Sequence, residues 1–126
     1  GLPLKLLRPD IDISFVDSTE KKLRFTSDVS EKFFLDAHIF PARAEELVSK
    51  GHREKYDIVV SRAVASLPVL CELCLPFVKV GGAFIAYKSL KECDAANPES
   101  ELSLAAKAIP ALSGKVEKIY PAPLSR

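Results

Sequence analysis

The sequence predicts one α/β domain, residues 1–126, with a mostly parallel sheet. Segments with strand-like and helix-like periodicity alternate along the chain, and no hairpin signal separates successive strands. The β-branched run Tyr56–Ser61 is typical of a parallel strand that is buried on both faces. A chain of 126 residues is also long enough to bury a single core.

The first part of the chain is predicted to form a helix, a strand and a second helix. Residues 1–8 read as a helix that ends before a proline, where helical geometry is disfavoured. Apolar and polar residues alternate over Ile11–Val16 and predict a strand that ends at Asp17. Ser18 or Thr19 then caps a helix whose apolar side chains fall on one face.

A further strand and helix are predicted on each side of the β-branched run. Before it, Ala37–Pro41 fits a strand, and Ala44–Lys50 fits a short helix that Gly51 closes. After it, Ser66 is a predicted N-cap with a proline close to the first helical position. Apolar residues then recur at helical spacing as far as Phe77.

The last third of the chain is predicted to form a strand, a helix and a final strand. A glycine pair turns the chain into the strand Ala83–Lys88. After a polar loop, Asn97 is the predicted cap of a helix in which Pro110 removes one hydrogen bond and introduces a kink or a tightened last turn. Lys115–Tyr120 is predicted as a strand that ends before Pro121 and Pro123.

Composition excludes several classes of protein. Hydrophobic residues make up 48% of the chain, too many for a disordered protein. No apolar run reaches the roughly 20 residues of a membrane span, so no membrane is expected as a partner. The net charge of +1 argues against a protein that binds nucleic acid over its whole surface. Three cysteines do not form a disulfide framework, which favours the reducing cytoplasm.

The residues that directly follow the strands are the candidates for a binding site. Ligands of open parallel sheets lie beyond the carboxyl ends of the strands. Asp17 stands at such an end and can accept hydrogen bonds from both hydroxyls of a nucleotide ribose. Alternatively, its charge only favours the positive end of the following helix. Arg43–Glu46 follows the next strand, and its acids also suit the first turn of a solvated helix.

Arg62 follows the β-branched strand and has two interpretations. Its guanidinium group is suited to bind a carboxylate or phosphate through two hydrogen bonds, or it pairs internally with an acid such as Asp57. Cys71 and Cys74 form a C-x-x-C pattern inside a helix, which favours packed thiols over a metal site, and no metal is predicted. The basic residues early in the helix after Asp17 either meet phosphate or form a solvated face, namely Lys21, Lys22 and Arg24.

Four segments of the sequence resemble the glucose-inhibited division protein B family. They are Phe15–Ser18 (FVDS), Arg43–Glu46 (RAEE), Tyr56–Ala65 (YDIVVSRAVA) and Leu73–Gly82 (LCLPFVKVGG). The resemblance covers nearly the whole chain in order and with the family's spacing, and it is most specific from Tyr56 to Lys88. These bacterial enzymes methylate N7 of a guanine in small-subunit ribosomal RNA.

The resemblance implies a Rossmann-like class I methyltransferase fold that binds S-adenosyl-L-methionine (SAM). Asp17 matches the acid that faces the SAM ribose, and Ala44 and Glu45 match the pair that borders the adenine. Arg62 matches an arginine at the cofactor site, and Lys88 lies where the family's fifth strand meets the active-site loop. Small-subunit ribosomal RNA is the implied partner. Guanine N7 carries no proton, so catalysis requires positioning rather than a general base, and no catalytic residue is assigned.

The resemblance also predicts that the chain is truncated at both ends. The family's glycine-rich loop and its preceding strand would come before Gly1, and its last strand would follow Arg126. That central strand would lie between two predicted strands, so we expect Ile11–Val16 to pair directly with Asp57–Ser61 or another chain to supply the strand. The alternatives to an active methyltransferase are a non-catalytic remnant or nucleotide-binding interaction module, and another nucleotide-dependent enzyme of the same fold.

Overall fold

The computed structural model describes residues 1–121 as helices that alternate with parallel strands. The chain forms two compact units, one comprising Gly1–Gly51 and the other the rest of the chain from His52. Each unit contains one parallel sheet of two strands. The α/β class with parallel strands is therefore confirmed, whereas the single domain stays a prediction.

The first unit contains three helices and two strands. In chain order they are α1 (Leu2–Leu7), β1 (Ser14–Asp17), α2 (Glu20–Lys32), β2 (His38–Pro41) and α3 (Ala44–Leu47). Strands β1 and β2 pair in parallel, with Ser14 opposite His38 and Asp17 opposite Pro41. Helix α2 packs on both strands and buries Leu23. The sheet thus brings the carboxyl ends of its two strands to one edge.

Strand β1 is shorter than predicted because a side chain competes for its backbone. The prediction began the strand at Ile11, but pairing begins at Ser14. Lys5 is almost fully buried, and its ammonium group donates hydrogen bonds to the carbonyl oxygens of Pro9 at 2.9 Å and Ile11 at 2.6 Å. These bonds hold the segment before β1 against α1. The carbonyl of Ile11 accepts a hydrogen bond from Lys5 and not from a neighbouring strand.

The second unit contains two strands and three helices. They are β3 (Tyr56–Arg62), α4 (Leu67–Cys74), β4 (Val78–Tyr87), α5 (Glu101–Ala105) and α6 (Ala108–Ala111), with a 3₁₀ turn at Leu75–Phe77. Ile58 lies opposite Ala83, and Arg62 lies opposite Tyr87. A core of Leu67, Cys71 and Ala105 forms between the helices. The predicted kink is confirmed as a break between α5 and α6, because Pro110 has no N–H to donate to the carbonyl of Ala106.

The predicted glycine turn is a bulge inside a longer strand. Strand β4 begins at Val78 and not at Ala83, and its register against β3 shifts between Tyr56 and Ile58. Gly81 adopts a φ of 82°, which favours glycine. A Cβ atom on Gly82 would lie 2.6 Å from the carbonyl oxygen of Asp57, so the backbones approach too closely for any other residue without a shift.

Three further predictions for this unit are wrong. Strand β3 is not buried on both faces, because α4 covers only one of them and Ile58 and Val60 remain 59% and 50% exposed. The last helix starts at Glu101 and not after Asn97, whose side chain accepts the N–H of Glu99 in a local turn. Lys115–Tyr120 forms no strand, since a strand needs a partner and these exposed residues make local contacts. The predicted position of Pro123 lies outside the described residues.

The predicted pairing between the first and third strands is also wrong. Among residues 1–121, β1 pairs only with β2 and β3 only with β4, so Ile11–Val16 and Asp57–Ser61 form no common ladder. Each strand uses one edge for the parallel neighbour that follows it across a helix. The alternative, in which another chain supplies a strand, stays a prediction.

Candidate functional site

Asp17 ends strand β1 and holds the start of helix α2. Its Oδ1 atom accepts a hydrogen bond of 2.8 Å from the backbone N–H of Thr19, the N-cap residue, and its Oδ2 atom lies 3.4 Å from the ammonium group of Lys22. The hydrogen bond from Thr19 is the largest cause that lowers the pKa of Asp17, and Lys22 lowers it further. Asp17 is therefore a carboxylate at neutral pH, with 32% of its side chain exposed.

Three of the four predicted cofactor residues belong to the same edge of the first sheet. Asp17 lies opposite Pro41 at the carboxyl end of the strand pair, and Ala44 and Glu45 follow in the first turn of α3. Ala44 is half-buried, and Glu45 is exposed with its carboxylate 4.0 Å from the guanidinium group of Arg43. The register of β1 and β2 thus groups residues that are far apart in the sequence.

Arg62 is the last residue of β3 and belongs to the second unit. Its side chain is exposed and makes no hydrogen bond or ion pair with any residue between 1 and 121. Asp57 pairs instead with Lys79 at 3.1 Å, so the interpretation of Arg62 as a partner of Asp57 is wrong. The next residue, Ala63, adopts a φ of 53°, which is uncommon for a residue with a side chain.

Lys88 follows β4 and lies at the centre of a partly buried polar cluster. Its ammonium group donates to the carbonyl of Ala65 at 2.7 Å and contacts the carboxylates of Glu101 at 2.6 Å and Glu92 at 3.4 Å. Burial lowers the pKa of Lys88, but the two carboxylates outweigh burial and raise it overall. Hydrogen bonds from Ser89 lower the pKa of Glu92 to about 2. Lys88 and Glu92 are therefore both charged at neutral pH.

Sequence reasoning missed both acids of this cluster. Glu101 is 13 residues away from Lys88 and Glu92 lies in a loop, so neither stands in a pattern that indicates a lysine partner. The one available signal is the four-residue spacing between Lys88 and Glu92, which favours a pair only where the chain is helical. The chain is not helical there, and the contact depends on the tertiary fold.

The C-x-x-C cysteines pack as thiols inside helix α4 and its end. Cys71 is buried and Cys74 is half-buried, and both are free. Burial raises the pKa of both thiols, that of Cys74 to about 11, so neither is a thiolate at neutral pH. Within residues 1–121, no group of three or more His, Cys, Asp or Glu side chains is placed to hold a metal ion.

The basic residues of helix α2 lie on its outside. Lys21, Lys22 and Arg24 are all exposed, as a solvated face requires, and Lys22 is the one that approaches Asp17. None of the helices described for residues 1–121 is long and apolar enough to cross a membrane.

Comparison with known proteins identifies relatives along almost the entire chain. The family model described as rRNA small subunit methyltransferase G matches residues 1–120. Proteins named "Ribosomal RNA small subunit methyltransferase G" are 48% identical over 121 residues in Acetivibrio thermocellus and 46% identical over 122 residues in Listeria monocytogenes. The protein of that name from Ligilactobacillus salivarius is 46% identical over 123 residues.

The three alignments cover 94–95% of this chain and 47–49% of each relative. The chain therefore spans about half the length of the curated relatives that it matches. The resemblance inferred from four short segments is confirmed by the match over residues 1–120. The chain belongs to the rRNA small subunit methyltransferase G family.

Proposed function

We propose that this chain binds SAM and serves the methylation of guanine N7 in small-subunit ribosomal RNA, in the cytoplasm. Membership of the family supports methyl transfer as the reaction, and the names of the relatives support small-subunit ribosomal RNA as the substrate. The proposal assigns cofactor binding to Asp17, Ala44 and Glu45 in the first unit and to Arg62 in the second.

The carboxylate of Asp17 is the observation that carries this proposal. An ionised carboxylate offers about four lone-pair positions. Thr19 occupies one of them, and Lys22 stands 3.4 Å from the other oxygen. Acceptor positions thus remain on a charged group at the carboxyl end of a parallel strand, as hydrogen bonds from ribose hydroxyls require. The residues of this edge fit the ribose and adenine of SAM.

The exposed guanidinium group of Arg62 fits the same cofactor for a different reason. Arginine presents five N–H donors in a rigid plane, which suits a carboxylate. None of these donors is used within residues 1–121. We assign Arg62 to bind an anionic group at the cofactor site rather than to stabilise the fold.

The proposed chemistry makes modest demands on the side chains. SAM, when bound, supplies a methyl group on a sulfonium centre. Guanine N7 presents a lone pair and releases no proton during methylation, so no side chain has to act as a base. The contribution of this chain is to bind and orient, and positioning of this kind accounts for much of the acceleration in two-reactant transfers.

Substitution of Asp17 by Asn in the intact protein tests the proposal. Asparagine keeps an oxygen that accepts the N–H of Thr19, so the start of α2 is preserved, but the negative charge is lost. Hydrogen bonds to charged groups contribute about 1.5–3 kcal/mol, so we expect SAM affinity to fall at least about tenfold in isothermal titration calorimetry. Asp36→Asn, at an exposed loop position of the same unit, is the matched control and leaves affinity unchanged.

Two outcomes would contradict the proposal in different ways. An unchanged affinity of the Asp17→Asn variant, with a lower melting temperature, would leave Asp17 with a structural role only. A wild-type protein that does not bind SAM would favour the non-catalytic remnant or interaction module.

A further inference from the structure

The ammonium group of Lys88 contacts three oxygen atoms of the second unit. A protonated lysine has three N–H donors and no acceptor. The structure supplies three acceptors, namely the carbonyl of Ala65 at 2.7 Å, Glu101 Oε2 at 2.6 Å and Glu92 Oε1 at 3.4 Å. The side chain is only 8% exposed. Lys88 therefore has little surface left for a ligand.

Glu101 completes a contact that spans the start of helix α4. Its Oε2 atom, which meets Lys88, also accepts a hydrogen bond of 2.6 Å from the backbone N–H of Leu67. Leu67 is the first residue of α4, and the N-cap residue Ser66 makes no side-chain hydrogen bond to the helix. A carboxylate from α5 thus does for α4 what an N-cap side chain ordinarily does.

Lys88 and Glu101 together bind the backbone on both sides of Ser66 through hydrogen bonds. Lys88 donates a hydrogen bond to the carbonyl of Ala65, and Glu101 accepts one from the N–H of Leu67. We call this pair of side chains the Lys88–Glu101 clamp. It fixes one end of the loop between Arg62 and Leu67, and the β3–β4 ladder fixes the other end at Arg62.

The loop between Arg62 and Leu67, which the Lys88–Glu101 clamp holds, contains a strained residue next to Arg62. Ala63 has a φ of 53°, in the left-handed region that is unfavourable for a residue with a Cβ atom. Such conformations persist where the surrounding structure determines them and are frequent near functional sites. The clamp holds the backbone around Ala63 in this conformation, because both its hydrogen bonds fall within four residues of Ala63.

We propose that the Lys88–Glu101 clamp sets the conformation of the Arg62–Ser66 loop, so that Lys88 and Glu101 are positioning residues for Arg62 and contact neither SAM nor RNA. The part that concerns Arg62 rests on the function proposed above. The position of Lys88 at the end of a parallel strand would otherwise suggest a direct contact with an RNA phosphate. Its burial and its three internal acceptors favour the indirect role.

A double-mutant cycle in the intact protein tests the clamp. Lys88→Met removes the hydrogen bond to Ala65, and Glu101→Gln removes the negative charge that holds the Lys88 ammonium group, so we expect each to speed hydrogen exchange in residues 63–67 and to weaken SAM binding about fivefold or more. Because the two side chains act as one unit, their effects should not add. The double variant should bind SAM no more weakly than the single variant with the lower SAM affinity. Lys91→Met, an exposed lysine in the loop that follows, is the control and should change neither readout.

The salt dependence of RNA binding separates the clamp from a direct contact. Loss of one phosphate contact to a single-stranded RNA oligonucleotide lowers the slope of log K against log salt by about 0.7. The clamp predicts that the slope is the same for wild type, Lys88→Met and Glu101→Gln. A lower slope in Lys88→Met alone, or fully additive losses in the double variant, would overturn it.

Two further controls keep the result interpretable. If Lys88→Met does not fold, Glu101→Gln alone decides, since a direct contact through Lys88 predicts unchanged or tighter ligand binding in that variant, whereas the clamp predicts weaker SAM binding and faster exchange. If the wild type does not bind SAM, the proposed function fails, but the exchange of residues 63–67 still tests the clamp. Unchanged exchange in both single variants would refute it.

Discussion

The four predicted cofactor residues differ in how the fold holds their side chains. Asp17 has one oxygen bonded to Thr19, and Glu45 approaches Arg43 at 4.0 Å. Arg62 has no partner within residues 1–121. Substitution of Arg62 is therefore the cleanest way to separate ligand binding from folding.

We predict that Arg62→Ala weakens SAM binding by about tenfold or more and leaves the melting temperature nearly unchanged. Hydrogen bonds to charged groups contribute about 1.5–3 kcal/mol to binding, whereas exposed side chains without partners alter stability by about 0.5 kcal/mol or less. Calorimetric titration with SAM and thermal denaturation of the intact protein measure the two effects. Arg53→Ala, at an exposed turn before β3, is the control for a lost arginine charge.

The reverse outcome would assign Arg62 to the fold. A large fall in melting temperature with intact SAM affinity would mean that the guanidinium group stabilises the protein through a partner other than the cofactor.

At the scale of single residues, sequence reasoning found the strand ends but not their long-range partners. Asp17 and Arg62 were identified because parallel strands place their ligands at carboxyl ends, and both do end strands. Glu101 was not identified, since its bond to the N–H of Leu67 joins residues 34 positions apart. Local patterns carry no information about such a pair.

Helix starts show how tertiary contacts override a local rule. Ser66 was correctly predicted as an N-cap residue, yet its side chain makes no capping bond. The second helical residue, Pro68, has no N–H to offer it, and the N–H of Leu67 is bound by Glu101 from another helix. Asn97 was wrongly predicted as a cap, and Ser100 caps α5 instead, with its hydroxyl oxygen accepting the N–H of Ser103. The residue types that cap helices are recognisable from sequence, but the group that does the capping is not.

We predict that Ser100→Ala destabilises the protein more than Ser66→Ala does. Ser100 is buried and makes a capping bond, whose loss costs about 1 kcal/mol. Ser66 is exposed and makes no such bond, so its replacement should cost a few tenths of a kcal/mol. Urea denaturation of both variants in the intact protein measures the difference. Equal losses would show that the hydroxyl of Ser100 does not stabilise α5.

The strand with the strongest local signal was predicted best. Tyr56–Ser61 was located to within one residue, because β-branched runs bounded by turn residues are a strong local signal. Lys115–Tyr120 has a similar local pattern but no ladder. A strand exists only with a partner, and the sequence pattern does not say whether one is in reach.

At the scale of the whole molecule, several charged side chains have a shifted pKa and make stability depend on pH. Hydrogen bonds from Ser89 lower the pKa of Glu92 to about 2 from an ordinary value of 4.5, and the hydrogen bond from Arg8 lowers that of Asp10 to about 2. Groups with a lowered pKa stabilise the folded state above their ordinary pKa and lose that contribution as the pH falls through the folded value. Lys88 has a raised pKa, so its contribution is present below 10.5 and is lost as the pH rises beyond that.

We therefore expect the melting temperature to be nearly constant from about pH 5 to about pH 9 and to fall on both sides. The acid fall lies between pH 4.5 and about pH 2 for Glu92, and the alkaline fall starts above the ordinary thiol pKa of 9.0, because burial raises the pKa of Cys74 to about 11 in the folded state. Glu92→Gln should lower the melting temperature at pH 7 and flatten the acid limb, because its folded and unfolded states no longer differ in proton affinity at that position. Glu99→Gln, an exposed glutamate of the same loop, should leave the profile unchanged. Thermal denaturation of the three proteins from pH 2 to pH 11 measures the profile. An acid limb as steep in Glu92→Gln as in the wild type would show that Glu92 does not contribute to it, and the loss of stability would then belong to other carboxylates, Asp10 and Asp17 first among them.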